Sequence, residues 1–509
     1  MRRITALVIS ALSAAPFARA DVILPALFAD HMVLQQGRPL PLWGWADPGE
    51  AVAVEFKGAR VTTKADDGGR WKIQLPAQLL DAGGTELVFK GKNTVTLKDV
   101  LVGEVWLCSG QSNMEFTLSK VMNAAEEIAT ATSPQIRQFL VKKTIAEMPA
   151  ESVDGEWQVG APETVGKFTA VGYFFAREIH NALHVPVGLI HSSWGGTPIE
   201  SWMSEDKLKS DPAYETVFQR RERNVAAFPE AHKKYLSDQA EWAAGAAEAK
   251  AAGQPFTKPK PRAPVGPGHP YMPITLYNGM IHPLVPYAMR GVLWYQGESN
   301  AGRSVEYQKL FPALIAQWRA EWGEGDFPFY FVQLANFNAG GDGTGTNWAF
   351  LRDAQTKTLT EPATGMAVTI DIGNPKDVHP TNKQEVGRRL ALVALAKTYA
   401  SAGQVKEFSG PVYRQARREG GAWRVWFDHA DGLTAKGDAP TGFQVAGQDG
   451  RFVTAGARID SDGTVVVSSP EVPEPEYVRY AWTDSPEAGL FNAAGLPAVP
   501  FRTDALPGR

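Results

Sequence analysis

Val100-Leu101-Val102-Gly103-Glu104-Val105-Trp106-Leu107-Cys108-Ser109-Gly110-Gln111-Ser112-Asn113-Met114 decides the fold. From Val100 to Leu107 the residues are nearly all apolar and do not alternate, which reads as a strand buried on both faces of a parallel sheet. A polar turn follows at once. Its serine stands at the rim of that sheet, where a nucleophile has to be exposed. Ser112-Asn113-Met114-Glu115 also fits a helix capping box, so this segment alone leaves both readings open.

Downstream, strands alternate with helices. Phe168 to Leu183 puts Val171, Phe174, Phe175, Ile179 and Ala182 on one helical face. Buried strands are expected at 185–190, 291–295, 329–334 and 366–370, with helices near 307–322, 348–359 and 382–399. That alternation implies an α/β unit over 100–405, with ligands at the carboxyl ends of its strands. A polar, Ala-rich helical excursion and extended loop interrupt it at 205–270. Upstream, 21–99 is short and alternating (Val52 to Phe56, Arg70 to Ile73, Glu86 to Phe89), as in a small antiparallel β-domain. Alternation returns over 406–509 and implies a second β-rich domain. With 509 residues, about three domains is the length expectation.

Residues 1–20 read as an export leader: Arg2-Arg3, a short apolar run, and Ala18-Arg19-Ala20 before a cleavage point. The run is too short to span a bilayer, so secretion or periplasmic residence without a membrane anchor is expected. Cleavage removes three arginines and takes the net charge from −4 to −7, which does not favour nucleic acid or anionic membrane as partners. Cys108, the single cysteine, has no partner for a disulfide and reads as a small buried hydrophobe. Oligomeric state is not readable.

Four post-strand loops carry dense polar clusters. Besides Ser112, these are Ser192-Ser193-Trp194-Gly195-Gly196-Thr197, Gln296-Gly297-Glu298-Ser299-Asn300, and Asp371 to His379. Adjacent glycines can turn backbone N–H groups toward an oxyanion, and an amide side chain can add a donor. His379, with Asp377 two residues before it, supplies a base and an orienting carboxylate. His180 and His184 have i, i+4 spacing, but no third ligand is in view, and no metal is expected.

Gly110-Gln111-Ser112-Asn113-Met114, Trp194 to Trp202, Leu276 to Ile281, Trp294 to Asn300 and Asp377-Val378-His379-Pro380 together resemble the blocks of the sialate O-acetylesterase family, within the SGNH hydrolase superfamily. The resemblance implies a flavodoxin-like three-layer α/β sandwich flanked by N- and C-terminal β-rich domains. It implies Ser112 as nucleophile, His379 as base and Asp377 as orienting acid, with oxyanion donors from Ser112 N–H, Gly195 and Gln296, and no cofactor. The usual acid position of the superfamily, three residues before the histidine, is Lys376, which leaves Asp371 as a substitute acid.

Glu298, Asn300 and Trp194 are candidate substrate contacts, and Trp202 and Tyr295 could stack on sugar rings. The expected activity is removal of O-acetyl groups from an oligosaccharide or polysaccharide, either hemicellulose (xylan, xyloglucan) or O-acetylated sialic acid. With no basic cluster beside the motifs, a neutral plant-type glycan is favoured. A non-catalytic carbohydrate-binding protein is the alternative.

Overall fold

The computed structural model describes residues 21–339, 345–402 and 405–505. The expected leader, 1–20, lies outside them. Seven strands carry the site: β1 (Thr94–Gly110), β2 (Ile136–Val141), β3 (Gly155–Val159), β4 (Val187–Ser193), β5 (Gly291–Tyr295), β6 (Phe329–Val332) and β7 (Thr364–Ala367). They lie in the order β7-β6-β5-β1-β4-β2-β3. All neighbours are parallel except β3, which pairs antiparallel with β2. The five strands β4-β1-β5-β6-β7 have the flavodoxin-like order, whose topological switch point falls beside the first strand. The deciding stretch is therefore the central strand, buried without interruption from Val100 to Gln111.

Helices cover both faces. Trp106 meets Phe175 of α1 (Ala170–Leu183) with ring centroids 4.9 Å apart. Register pairs Trp106 with Gly291 and Ser109 with Trp294, so the two tryptophans point to opposite faces. The long polar helix α2 (Glu215–Ala251) buries only Val217 among its side chains. Trp294 packs against Phe311 and Trp318 of α3 (Ser304–Trp322), and α4 (Asn347–Lys357) follows it. On the other face α1 packs on α5 (Lys383–Lys397) so closely that a Cβ at Gly387 would lie 2.5 Å from Phe174 Cβ.

β1 is longer than its sequence suggests. Its first half, Thr94 to Val102, pairs antiparallel with Asp81–Lys90 of the N-terminal strands, and Glu104 to Gly110 pair with β4. The strand runs without a break across residue 99, where the composition changes. The β2–β3 hairpin, which the hydrophobic pattern does not single out, extends the sheet beyond β4. C-terminal strands form two four-stranded sheets and a two-stranded one. Buried Arg352 of α4 ties that region to the core by donating to Leu334 O, Ala335 O, Thr483 O and Asp484 O.

Candidate active site

The loops after β1, β4, β5 and β7 meet at the carboxyl edge of the sheet. Gly110 turns the chain out of β1 at φ +130°, against Tyr295 of β5, where a Cβ would come within 2.2 Å of Tyr295 O. Ser112 opens a short helix, Ser112–Glu115, with Gln111 as N-cap and no side-chain cap bond. The capping-box reading is thus not realised, and the hydroxyl goes elsewhere. His379 Nε2 lies 2.8 Å from Ser112 Oγ, across 267 residues of chain. Burial holds the His379 ring below its ordinary value, opposed by the Asp377 carboxylate and reinforced by Lys383 and Lys120. It is therefore neutral at pH 7 and able to accept a proton.

Asp377 is adjacent to His379, but its Oδ1 is 3.6 Å from Nδ1, beyond a hydrogen bond, and accepts the backbone N–H of His379 at 2.9 Å instead. Asp371 does not replace it. Its carboxylate is held by Arg389 through bonds of 2.6 and 2.7 Å.

The expected oxyanion donors stand differently. As the first residue of its helix, Ser112 has no intrahelical acceptor for its N–H. Gly195 lies against Ser112, but its N–H donates to Glu115 Oε2 at 2.6 Å. Gln296 is fully buried, and its amide N–H groups go to Asn300 Oδ1 (2.7 Å) and Thr197 O (3.3 Å). Asn300 is buried as well and joins the carboxylate of Glu200. Glu298 sits beneath the site, where Asn113 Nδ2 donates to it at 2.6 Å. None of these three lines the cavity over Ser112. They brace the loops.

That cavity, about 950 Å³, is lined by Ser112, Asp377 and His379 and runs toward the β2–β3 hairpin. Lys120, Lys142, Lys143 and Lys167 also line it. Sequence showed no basic cluster beside the motifs, and the fold brings these four lysines together from three segments, with Glu115, Glu156 and Asp377 in the same lining. Lys143 donates to Glu115 at 2.5 Å and lies over the half-buried Trp194 ring. Trp202 and Tyr295 are buried and cannot stack on a sugar.

His191, unremarked in the sequence, also lines the cavity, with Nε2 2.6 Å from Ser193 Oγ. Burial pushes its ring down to about 3, so it stays neutral and is a poor base beside His379. Its signal would have been the alternation of His191 and Ser193 on one face of a strand end. His180 Nδ1 is bonded to Val185 O. Among the described residues no group of three or more His, Cys, Asp or Glu side chains is placed to hold a metal ion.

The family model for carbohydrate esterase, sialic acid-specific acetylesterase, matches residues 102–241 and 271–396. Sialate O-acetylesterase of Rattus norvegicus is 31% identical over 94% of this chain and 93% of its own length. That of Homo sapiens is 31% identical over 75% and 72% respectively. The crystal structure of a novel carbohydrate acetylesterase from Xanthomonas citri superposes with a TM-score of 0.80 at 41% identity, covering 96% of this chain and 100% of that one. Fold and relatives define a carboxylic ester hydrolase. The chain belongs to the sialic acid-specific acetylesterase family of carbohydrate esterases.

Proposed function

We propose that this enzyme removes acetyl groups from an O-acetylated carbohydrate by a serine acyl-enzyme mechanism. The carrying observation is the 2.8 Å contact between Ser112 Oγ and His379 Nε2 at the head of a substrate-sized cavity. Ser112 attacks the acetyl carbonyl while His379 takes the hydroxyl proton. The oxyanion is met by Ser112 N–H, and by Gly195 N–H once Glu115 withdraws. The C–O bond to the sugar then breaks, and the sugar oxygen leaves with the proton from His379. A water, deprotonated by the same ring, attacks the acetyl-serine and frees acetate.

Four lysines and three carboxylates (Glu115, Glu156 and Asp377) line the cavity, and the two lysines outside ion pairs favour a sugar that carries a negative charge near its acetyl group over a neutral plant-type glycan. Lys142 faces Asp154 and Lys143 faces Glu115, whereas Lys120 and Lys167 form no ion pair among the described residues. The leader expected at 1–20 supports action outside the cytoplasm, secreted or periplasmic.

The test is Ser112→Ala, assayed for acetate release and for fluorophosphonate labelling. Both should be lost. An Ala variant that turns over p-nitrophenyl acetate at the wild-type rate overturns the reading.

A further inference from the structure

Beside Ser112 and His379 lies a polar cluster that takes no part in the acyl transfer. Asn113, the residue after the nucleophile, is 1% exposed. Its Nδ2 donates to Val378 O at 3.0 Å, the carbonyl just before the base, and to Glu298 Oε1 at 2.6 Å. Its Oδ1 accepts from Lys383 Nζ at 2.6 Å. Two of these partners only accept and the third only donates, so a single orientation of the amide satisfies all three. Lys383 is fully buried, with its Nζ 4.9 Å from the Phe116 ring centroid and 5.3 Å from that of Tyr295. A cation and a carboxylate thus grip one amide from opposite ends, and the amide grips the loop that carries the base.

We infer that Asn113 and Lys383 are positioning residues for the deacetylation: Asn113 sets the depth of the His379 loop through Val378 O, Lys383 and Glu298 lock that amide from its two ends, and Lys383 adds positive potential at the imidazole. The inference rests on the reading of Ser112 and His379 as the reacting pair. Asp377 leaves the His379 ring loose, because it holds the backbone of that residue but not its imidazole. Two contacts from opposite sides, Asp377 on His379 N–H and Asn113 on Val378 O, do for the loop what a ring-bound carboxylate does elsewhere for the imidazole.

Burial pushes Lys383 down to about 7 and raises Glu298, and each charge favours the ionised form of the other across Asn113. The charged groups facing His379 are Asp377 and Glu115, which raise it, and Lys383 and Lys120, which lower it. Removing the Lys383 charge therefore lifts the imidazole pKa.

The full-length enzyme carries the test. Asn113→Asp keeps the shape but loses both donors; it should lower kcat at least about tenfold with KM changed less than about twofold. Lys383→Met paired with Glu298→Gln removes both charges together, which avoids leaving an unpaired ion in the core. That double variant should move the acid limb of kcat/KM, and the NMR titration of the His379 ring proton, upward by several tenths of a pH unit. Should Asn113→Asp not fold, the double variant decides alone. An unmoved limb and an unmoved ring titration overturn the inference, as does an Asn113→Asp kcat equal to wild type. Ser112→Ala run alongside separates the cases: wild-type turnover there defeats the underlying site, not the positioning device alone.

Discussion

Asp377 Oδ1 accepts the backbone N–H of His379 at 2.9 Å while standing 3.6 Å from Nδ1 of the same residue. The carboxylate fixes where the loop goes more firmly than how the ring is turned. Loss of Asp377 should thus cost less than loss of the ring. Asp377→Ala is expected to reduce kcat about tenfold, and His379→Ala by about 100- to 10,000-fold, the range of a lost general base. Steady-state kinetics on p-nitrophenyl acetate compare them, and equal losses would make Asp377 a full triad member.

The pH profile follows from the direction of the His379 shift. A base must be unprotonated, and burial holds this imidazole below its ordinary 6.5. Activity should therefore be complete at pH 7 and fall as pH drops through a midpoint below 6.5. A kcat/KM limb centred above pH 7 would contradict the geometry.

Gln296 offers a contrast between two roles. An oxyanion donor, once removed, costs about 100- to 1000-fold in rate. With its N–H groups on Asn300 and Thr197, Gln296→Ala should instead leave buried acceptors short of a donor. The expected result is a loss of about 1–3 kcal/mol in urea unfolding, with a rate deficit well under a hundredfold. A stable variant with a thousandfold slower turnover would restore the donor role.

Lys120 and Lys167 test the charge of the substrate. In Lys120→Ala/Lys167→Ala, KM for an acetylated acidic sugar should rise about tenfold, and the remaining salt dependence should shrink. KM for acetylated xylo-oligosaccharides should stay within twofold. Equal effects on both substrates would remove the case for an acidic glycan.

Local signals carried far. The apolar run at 100–107 and the helical period at 168–183 were each sufficient to place their elements, because burial on both faces of a strand or on one face of a helix leaves little freedom in the pattern. The Ser112–His379 pairing was legible because both sit just past buried strands of one parallel sheet, whose carboxyl ends share an edge. What could not be read was convergence. Lys120, the adjacent Lys142 and Lys143, and Lys167 belong to three segments, and nothing in their spacing says that they face one cavity. Nor does sequence say which acceptor wins a given N–H. Glu115 takes that of Gly195 only because the turn after Ser112 brings the carboxylate alongside, and Arg389 claims Asp371 from the next helix.

One strand, β1, is shared property: its first half completes the N-terminal sheet and its second half delivers Ser112. A hydrolase trimmed to begin at residue 100 would leave the backbone donors and acceptors at the root of its own nucleophile strand without their neighbours. The amino-terminal module is better regarded as the footing of the reaction centre than as a detachable appendage, and the two should melt in a single transition.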